Sequence, residues 1–111
     1  MNRELFLAKF RKGCKKNSEE TEFGLELEHF VVRKADGKTA VYSGKAGVEE
    51  LLSRLSDFYE EKEYSEGHLI GLWCPDYSLS LEPAAQLEIS VRKCRNSAEI
   101  REIYSEFRKK A

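Results

Sequence analysis

Four glutamates at short, even spacing are the residues of this chain best suited to chemistry. Glu26 and Glu28 lie in Phe23-Gly24-Leu25-Glu26-Leu27-Glu28-His29-Phe30, and Glu82 and Glu88 lie in the stretch from Ser78 to Ser90. Both stretches alternate polar and apolar residues with the period of an extended strand. Glu26 and Glu28 therefore share one face, with Phe23, Leu25 and Leu27 on the other. In the second stretch Leu79, Leu81, Leu87, Ile89 and Val91 make the apolar face, and Ser78, Ser80, Glu82, Gln86, Glu88 and Ser90 the polar one. Pro83 removes a ladder donor, so a bend or bulge in a kinked strand is expected there. If the two stretches share a sheet, four carboxylates converge on one surface. Like-charge repulsion opposes that arrangement and a divalent cation relieves it; oxygen-only ligands suit Mg²⁺ or Mn²⁺. The plain alternative is a solvated face of ordinary surface glutamates. Asp and Glu make up 20 of the 111 residues, so chance Glu-x-Glu pairs are common.

The elements that position these residues can be read in order. Asn2 to Lys12 reads as a short helix with Leu5, Phe6, Lys9 and Phe10 on one partly apolar side, stopped by Gly13. Arg11, Lys12, Lys15 and Lys16 form a basic cluster beside it. Glu22 to Arg33 is a strand, Lys34 to Lys38 a turn around Asp36-Gly37, and Thr39 to Tyr42 the partner strand. His29, on the apolar face, is expected to be a hydrogen-bonded packing residue. Gly47 to Phe58 is a helix with Val48, Leu51, Leu52 and Leu55 at helical spacing. Glu60-Glu61-Lys62-Glu63 reads as a charged, solvent-facing connection without chemistry. Gly67 to Trp73 is a strand, and Pro75-Asp76 turns it as a hairpin into the central stretch; Trp73 and Tyr77 read as packing residues. Ser97 caps a last helix to about Lys110, whose apolar stripe is Ile100, Ile103, Tyr104 and Phe107. The sum is a single α+β domain over residues 1–111, an antiparallel sheet with helices packed on one face and the glutamates on the other.

Composition narrows the function classes. With 19 basic and 20 acidic residues the net charge is −1, which gives no nucleic-acid footprint. No apolar run reaches membrane-spanning length and no signal-peptide pattern opens the chain. Cys14, Cys74 and Cys94 are odd in number and lack metal-site spacing, which favours reduced thiols in the cytoplasm.

Gly24-x-Glu26-x-Glu28-x-Phe30, followed by Ser80-Leu81-Glu82-Pro83-x-x-Gln86-x-Glu88-Ile89-Ser90, resembles the glutamate–cysteine ligase family of plants and many bacteria. Phe10-Arg11-x-Gly13-x-Lys15 precedes the first motif, and Gly67-x-x-Ile70-Gly71-Leu72 leads into the second, in the family's order. The likeness runs roughly from Phe6 to Tyr104 and corresponds to the N-terminal portion of the family's longer catalytic domain. Two departures stand out: Ala84-Ala85 occupy the place of a glycine pair, and Val91-Arg92 follow Ser90 in place of a small, proline-containing continuation.

The resemblance implies part of a glutamine synthetase-like catalytic fold. It also implies ATP-dependent joining of the glutamate γ-carboxylate to the cysteine amine, the first step of glutathione synthesis. Carried over by position, Glu26, Glu28, Glu82 and Glu88 are the implied Mg²⁺ (or Mn²⁺) ligands, and Gln86 and Ser80 the implied substrate-binding residues. ATP is the implied co-substrate, and no catalytic side chain is assigned. The missing C-terminal ligase portion or self-association into a homo-oligomer is expected to cover the open polar face. Three readings follow: a ligase completed by assembly or by further chain; a non-catalytic ligase-derived module binding Mg²⁺, glutamate or nucleotide; and a partner subunit whose glutamates are only surface.

Overall fold

Apolar side chains at every second position drive the assembly of a five-stranded antiparallel sheet. In the computed structural model, which describes residues 2–14, 17, 19 and 21–111, the strands are β1 (Phe23–His29), β2 (Glu61–Ser65), β3 (His68–Trp73), β4 (Tyr77–Glu82) and β5 (Gln86–Cys94). Their spatial order is β1-β5-β4-β3-β2. Three helices accompany them, α1 (Arg3–Gly13), α2 (Val48–Leu55) and α3 (Ser97–Lys110). The α+β class with an antiparallel sheet is as expected.

The core lies on one side of the sheet. Leu79 of β4, Ile89 and Cys94 of β5, Leu72 of β3 and Val48 and Leu52 of α2 are its most deeply buried side chains. The spacing of Val48, Leu52 and Leu55 turns one side of α2 onto β3, and Ile103 and Phe107 of α3 close over β5. Asn96, not Ser97, caps α3: its Oδ1 accepts from the Glu99 N–H at 3.0 Å, while Glu99 accepts from the Arg95 N–H at 2.7 Å. Half-buried His29 bridges β5 and α3, with Nδ1 3.2 Å from the Leu87 carbonyl and Nε2 3.0 Å from the Tyr104 hydroxyl. The buried Tyr59 and Tyr77 hydroxyls meet at 3.0 Å. Burial, then the Tyr77 hydrogen bond, raises the Tyr59 phenol pKa above its ordinary value.

Several local expectations give way to different geometry. The charged run around Glu61-Lys62-Glu63 is a strand, β2, and Glu66-Gly67 closes the β2–β3 hairpin with φ of 50° and 82°. Two left-handed residues are what a two-residue hairpin loop requires. The β2–β3 register skips Ile70, and this bulge lets both Leu69 and Leu72 reach the core although they are three residues apart. The first strand ends at His29. Beyond it the Asp36-Gly37 turn forms, but the partner strand amounts to a Val32–Thr39 bridge: Ala40, Val31 and Tyr42 pack on the core, while Phe30, Val32 and Val41 stay exposed.

Helix α1 departs most from expectation. Asn2 caps it by accepting from the Glu4 N–H at 2.9 Å, yet it buries none of its residues, and Leu5, Phe6 and Phe10 are exposed. The radius of gyration of 18.0 Å, against about 13 Å for a compact domain of this length, reflects that stand-off. Only α2 and α3 pack on the sheet. Lys15 and Lys16 of the basic cluster lie outside the described residues.

At Pro83 the chain does more than kink. It reverses fully, so that β4 and β5 are antiparallel neighbours with Glu82 opposite Gln86. The reversal runs through Ala84 (φ 62°, ψ 30°) and Ala85 (φ 55°), both left-handed. Such a conformation costs an L-residue about 1–2 kcal/mol and glycine almost nothing. Ala84 is exposed, so its methyl group contributes little packing. Ala84→Gly is therefore expected to stabilise the protein by about 0.5–1 kcal/mol after the extra entropy of the unfolded glycine chain; urea unfolding checks this, and a destabilised variant would contradict the turn geometry.

Candidate functional site: the carboxylate face of the sheet

Residues directly opposite each other in an antiparallel pair point to the same face, so the register lays out the uncovered surface row by row. One row runs Glu28, Glu88, Ser80, Gly71, Glu63 across β1, β5, β4, β3 and β2; the next runs Glu26, Ser90, Ser78, Trp73, Glu61. Glu82 and Gln86 pair beside the first row, next to the turn. All four glutamates expected to act together, with Ser80 and Gln86, thus lie on the face opposite the core.

Glu28 and Glu88 are direct cross-strand partners, the tightest juxtaposition of the predicted set. Glu88 is half-buried and its Oε1 accepts from the Ser90 hydroxyl at 3.0 Å, which fixes the carboxylate along β5. Glu26 and Glu28, on edge strand β1, are exposed. Glu82 sits at the end of β4, outside the Glu28–Glu88 row. Gln86 turns back on its own loop, its amide donating to the Pro83 carbonyl at 3.1 Å. Two glycines let backbones and carboxylates crowd here. A Cβ on Gly24 would come within 3.0 Å of the Val91 carbonyl, and one on Gly71 within 3.1 Å of Glu63 Oε2. Glu63 therefore leans over Gly71 toward the middle of the sheet.

Glu61 and Glu63 extend the acidic surface beyond what the sequence suggested, bringing it to six carboxylates with no Lys or Arg in the same rows. Their alternation with Lys62 and the Glu66-Gly67 loop were the available signal. Trp73, expected to pack, is 44% exposed on this face, whereas Tyr77 is buried as expected. Beside Trp73, a depression of about 400 Å³ is bounded by Glu61, Lys62, Glu63, Ser78 and Ser80.

The donor chemistry fits a hard cation. Among the described residues no three His, Cys, Asp or Glu side chains form a group able to hold a metal alone. Mg²⁺ does not require one: it commonly takes one or two protein carboxylates and completes its shell with water and phosphate oxygens. The Glu28–Glu88 pair supplies that number; Glu26 lies one row away, opposite Ser90. Cys14, Cys74 and Cys94 are free thiols and none is a member of these rows; no described helix is long and apolar enough to cross a membrane. In comparison with known proteins, no family model and no curated protein matches the chain.

Carboxylates opposite each other on a sheet repel at low ionic strength. Glu28→Gln is expected to raise the melting temperature by about 1–4 °C in dilute, metal-free buffer. The gain should shrink as salt is added; a gain independent of salt would mean that the pair does not interact electrostatically.

Proposed function

We propose that this chain is the carboxylate-bearing unit of a glutamate–cysteine ligase-like catalytic domain, working in a cytoplasmic setting on glutamate, cysteine and ATP. The observation that carries the reading is the pairing of the Gly-x-Glu-x-Glu strand directly against the Gln-x-Glu-Ile-Ser strand, with Glu28 opposite Glu88. Two stretches that resemble one family's motifs, sixty residues apart, become neighbours with their carboxylates on one face. The turn adds support: Ala84 and Ala85, at the place of the family's glycine pair, both adopt the left-handed backbone that glycines favour. The wider link to a glutamine synthetase-like fold belongs to this proposal, as does completion of the face by further chain or a second copy.

In this reading Glu28 and Glu88 hold Mg²⁺ (or Mn²⁺), and Glu26 and Glu82 stand at the margin. When bound, the cation neutralises phosphate charge and orients the transferred group. Ser90 keeps Glu88 in one orientation through its 3.0 Å hydrogen bond. Ser80, in the Glu88 row, presents a hydroxyl to substrate. Gln86 does so with its amide once it releases the Pro83 carbonyl. The reaction assigned is phosphorylation of the glutamate γ-carboxylate by ATP, then attack of the cysteine amine on the acyl phosphate with loss of phosphate. Excluding water from this open face would strengthen each of these interactions.

The test is ADP release by the 111-residue protein with Mg²⁺, ATP and glutamate, with and without cysteine. Release that requires both amino acids and falls at least a hundredfold in Glu88→Gln is the expected result for a working ligase. No release, with Mg²⁺-dependent nucleotide or glutamate binding retained, would move the chain to a non-catalytic binding module. Loss of both would leave a partner subunit.

A further inference from the structure

Two surfaces of this molecule are unpartnered, and they are complementary. The first is the outer side of α1. Arg3, Phe6 and Phe10 fall at helical spacing on one stripe with Lys9 alongside, and the Phe6 and Phe10 rings already touch, with centroids 4.8 Å apart. Phe6 is 44% and Phe10 63% exposed. Among the described residues of α1 and its cap there are four cations, Arg3, Lys9, Arg11 and Lys12, against one anion, Glu4. The second surface is the β2–β4 half of the carboxylate face, where Trp73 stands beside a depression of about 400 Å³ lined by Glu61, Lys62 and Glu63, two anions and one cation. One surface is an aromatic-cationic helix, the other an aromatic sheet half with a net negative rim. In length they match: eleven residues of helix run about 16 Å, and strands of five to six residues, as in β2, β3 and β4, run about 17–20 Å.

We infer that α1 of one copy docks on the Trp73–Glu61–Glu63 region of a second copy, in a two-fold exchange that makes a homodimer. Phe6 and Phe10 enter the depression beside Trp73, and Arg3 and Lys9 face Glu61 and Glu63. The occupant is a second copy because α1 precedes β1, the sheet edge farthest from the depression, and buries none of its residues within its own chain. A two-fold exchange also makes the contact twice, which doubles the buried area toward the roughly 1,000 Å² a specific interface needs. The Glu28–Glu88 end of the face stays accessible. The inference does not depend on the ligase reading.

A charge-swap experiment separates this from docking within one chain. Arg3→Glu with Lys9→Glu makes the helix acidic; Glu61→Lys with Glu63→Lys makes its seat basic. All four positions are exposed, so both double variants should fold, which circular dichroism verifies. By sedimentation equilibrium and light scattering, the unaltered chain is expected to be dimeric at about 100 µM, with dissociation strengthened at least tenfold by raising salt from about 50 to about 500 mM. Each double variant alone should be monomeric, because its helix and seat then repel. An equimolar mixture should restore a heterodimer, since each helix meets a seat of opposite charge. A monomeric unaltered chain, a double variant that remains dimeric alone, or a mixture that stays monomeric would each overturn the inference.

Discussion

The register of β5 is the constraint on which the rest of this structure depends. β5 lies between β1 and β4, and its period of two sends Leu87, Ile89 and Val91 into the core while Glu88 and Ser90 go to the opposite face. A slip of one residue on either side would bury carboxylates and expose the apolar row, so hydrophobic burial and carboxylate placement are decided together. The α2 and α3 layer secures the register from one side only. It seals the apolar row and leaves the acidic row to other forces.

That division explains why the molecule holds crowded like charges. Burial of Leu72, Leu79 and Ile89 commits each strand to its register, and each such side chain contributes about 1.5–3 kcal/mol when removed from water. Repulsion between neighbouring exposed carboxylates is smaller, a fraction of a kcal/mol to about 1 kcal/mol per pair. The core therefore wins, and the acidic face persists as a surface that gains from any cation brought to it. In the proposed reading, a metal ion near Glu28 and Glu88 and a cationic helix near Glu61 and Glu63 would relieve the same repulsion at different ends of the sheet.

Much of this was legible in the sequence because the signals were local and strong. Strict alternation revealed β1, β4 and β5 and which side of each bears glutamate; Val48, Leu52 and Leu55 revealed α2, and Ile103 and Phe107 the buried side of α3. The misses have physical reasons. β2 consists of Glu61-Lys62-Glu63-Tyr64-Ser65, an edge strand exposed along its whole length, so no hydrophobic alternation marks it. The full reversal after Pro83 uses two alanines with positive φ, a conformation their side chains do not advertise. The expected strand from Thr39 to Tyr42 has the right turn chemistry and buries Ala40, but Val32 and Val41 stay exposed and the pairing is limited to the Val32–Thr39 bridge. α1 has helical spacing, yet its apolar side is buried by no layer of its own chain, which spacing alone does not reveal.

The central claim is that the strand pairing makes Glu28 and Glu88 a cation site. Binding of Mn²⁺, followed by its paramagnetic resonance signal as the protein is titrated, tests it most directly. The account predicts a saturable site whose affinity falls at least tenfold in Glu28→Gln and in Glu88→Gln but is unchanged in Glu106→Gln, on α3 and away from the face. Mn²⁺ binding that is equally weak in all four proteins, or that survives loss of both Glu28 and Glu88, would contradict it.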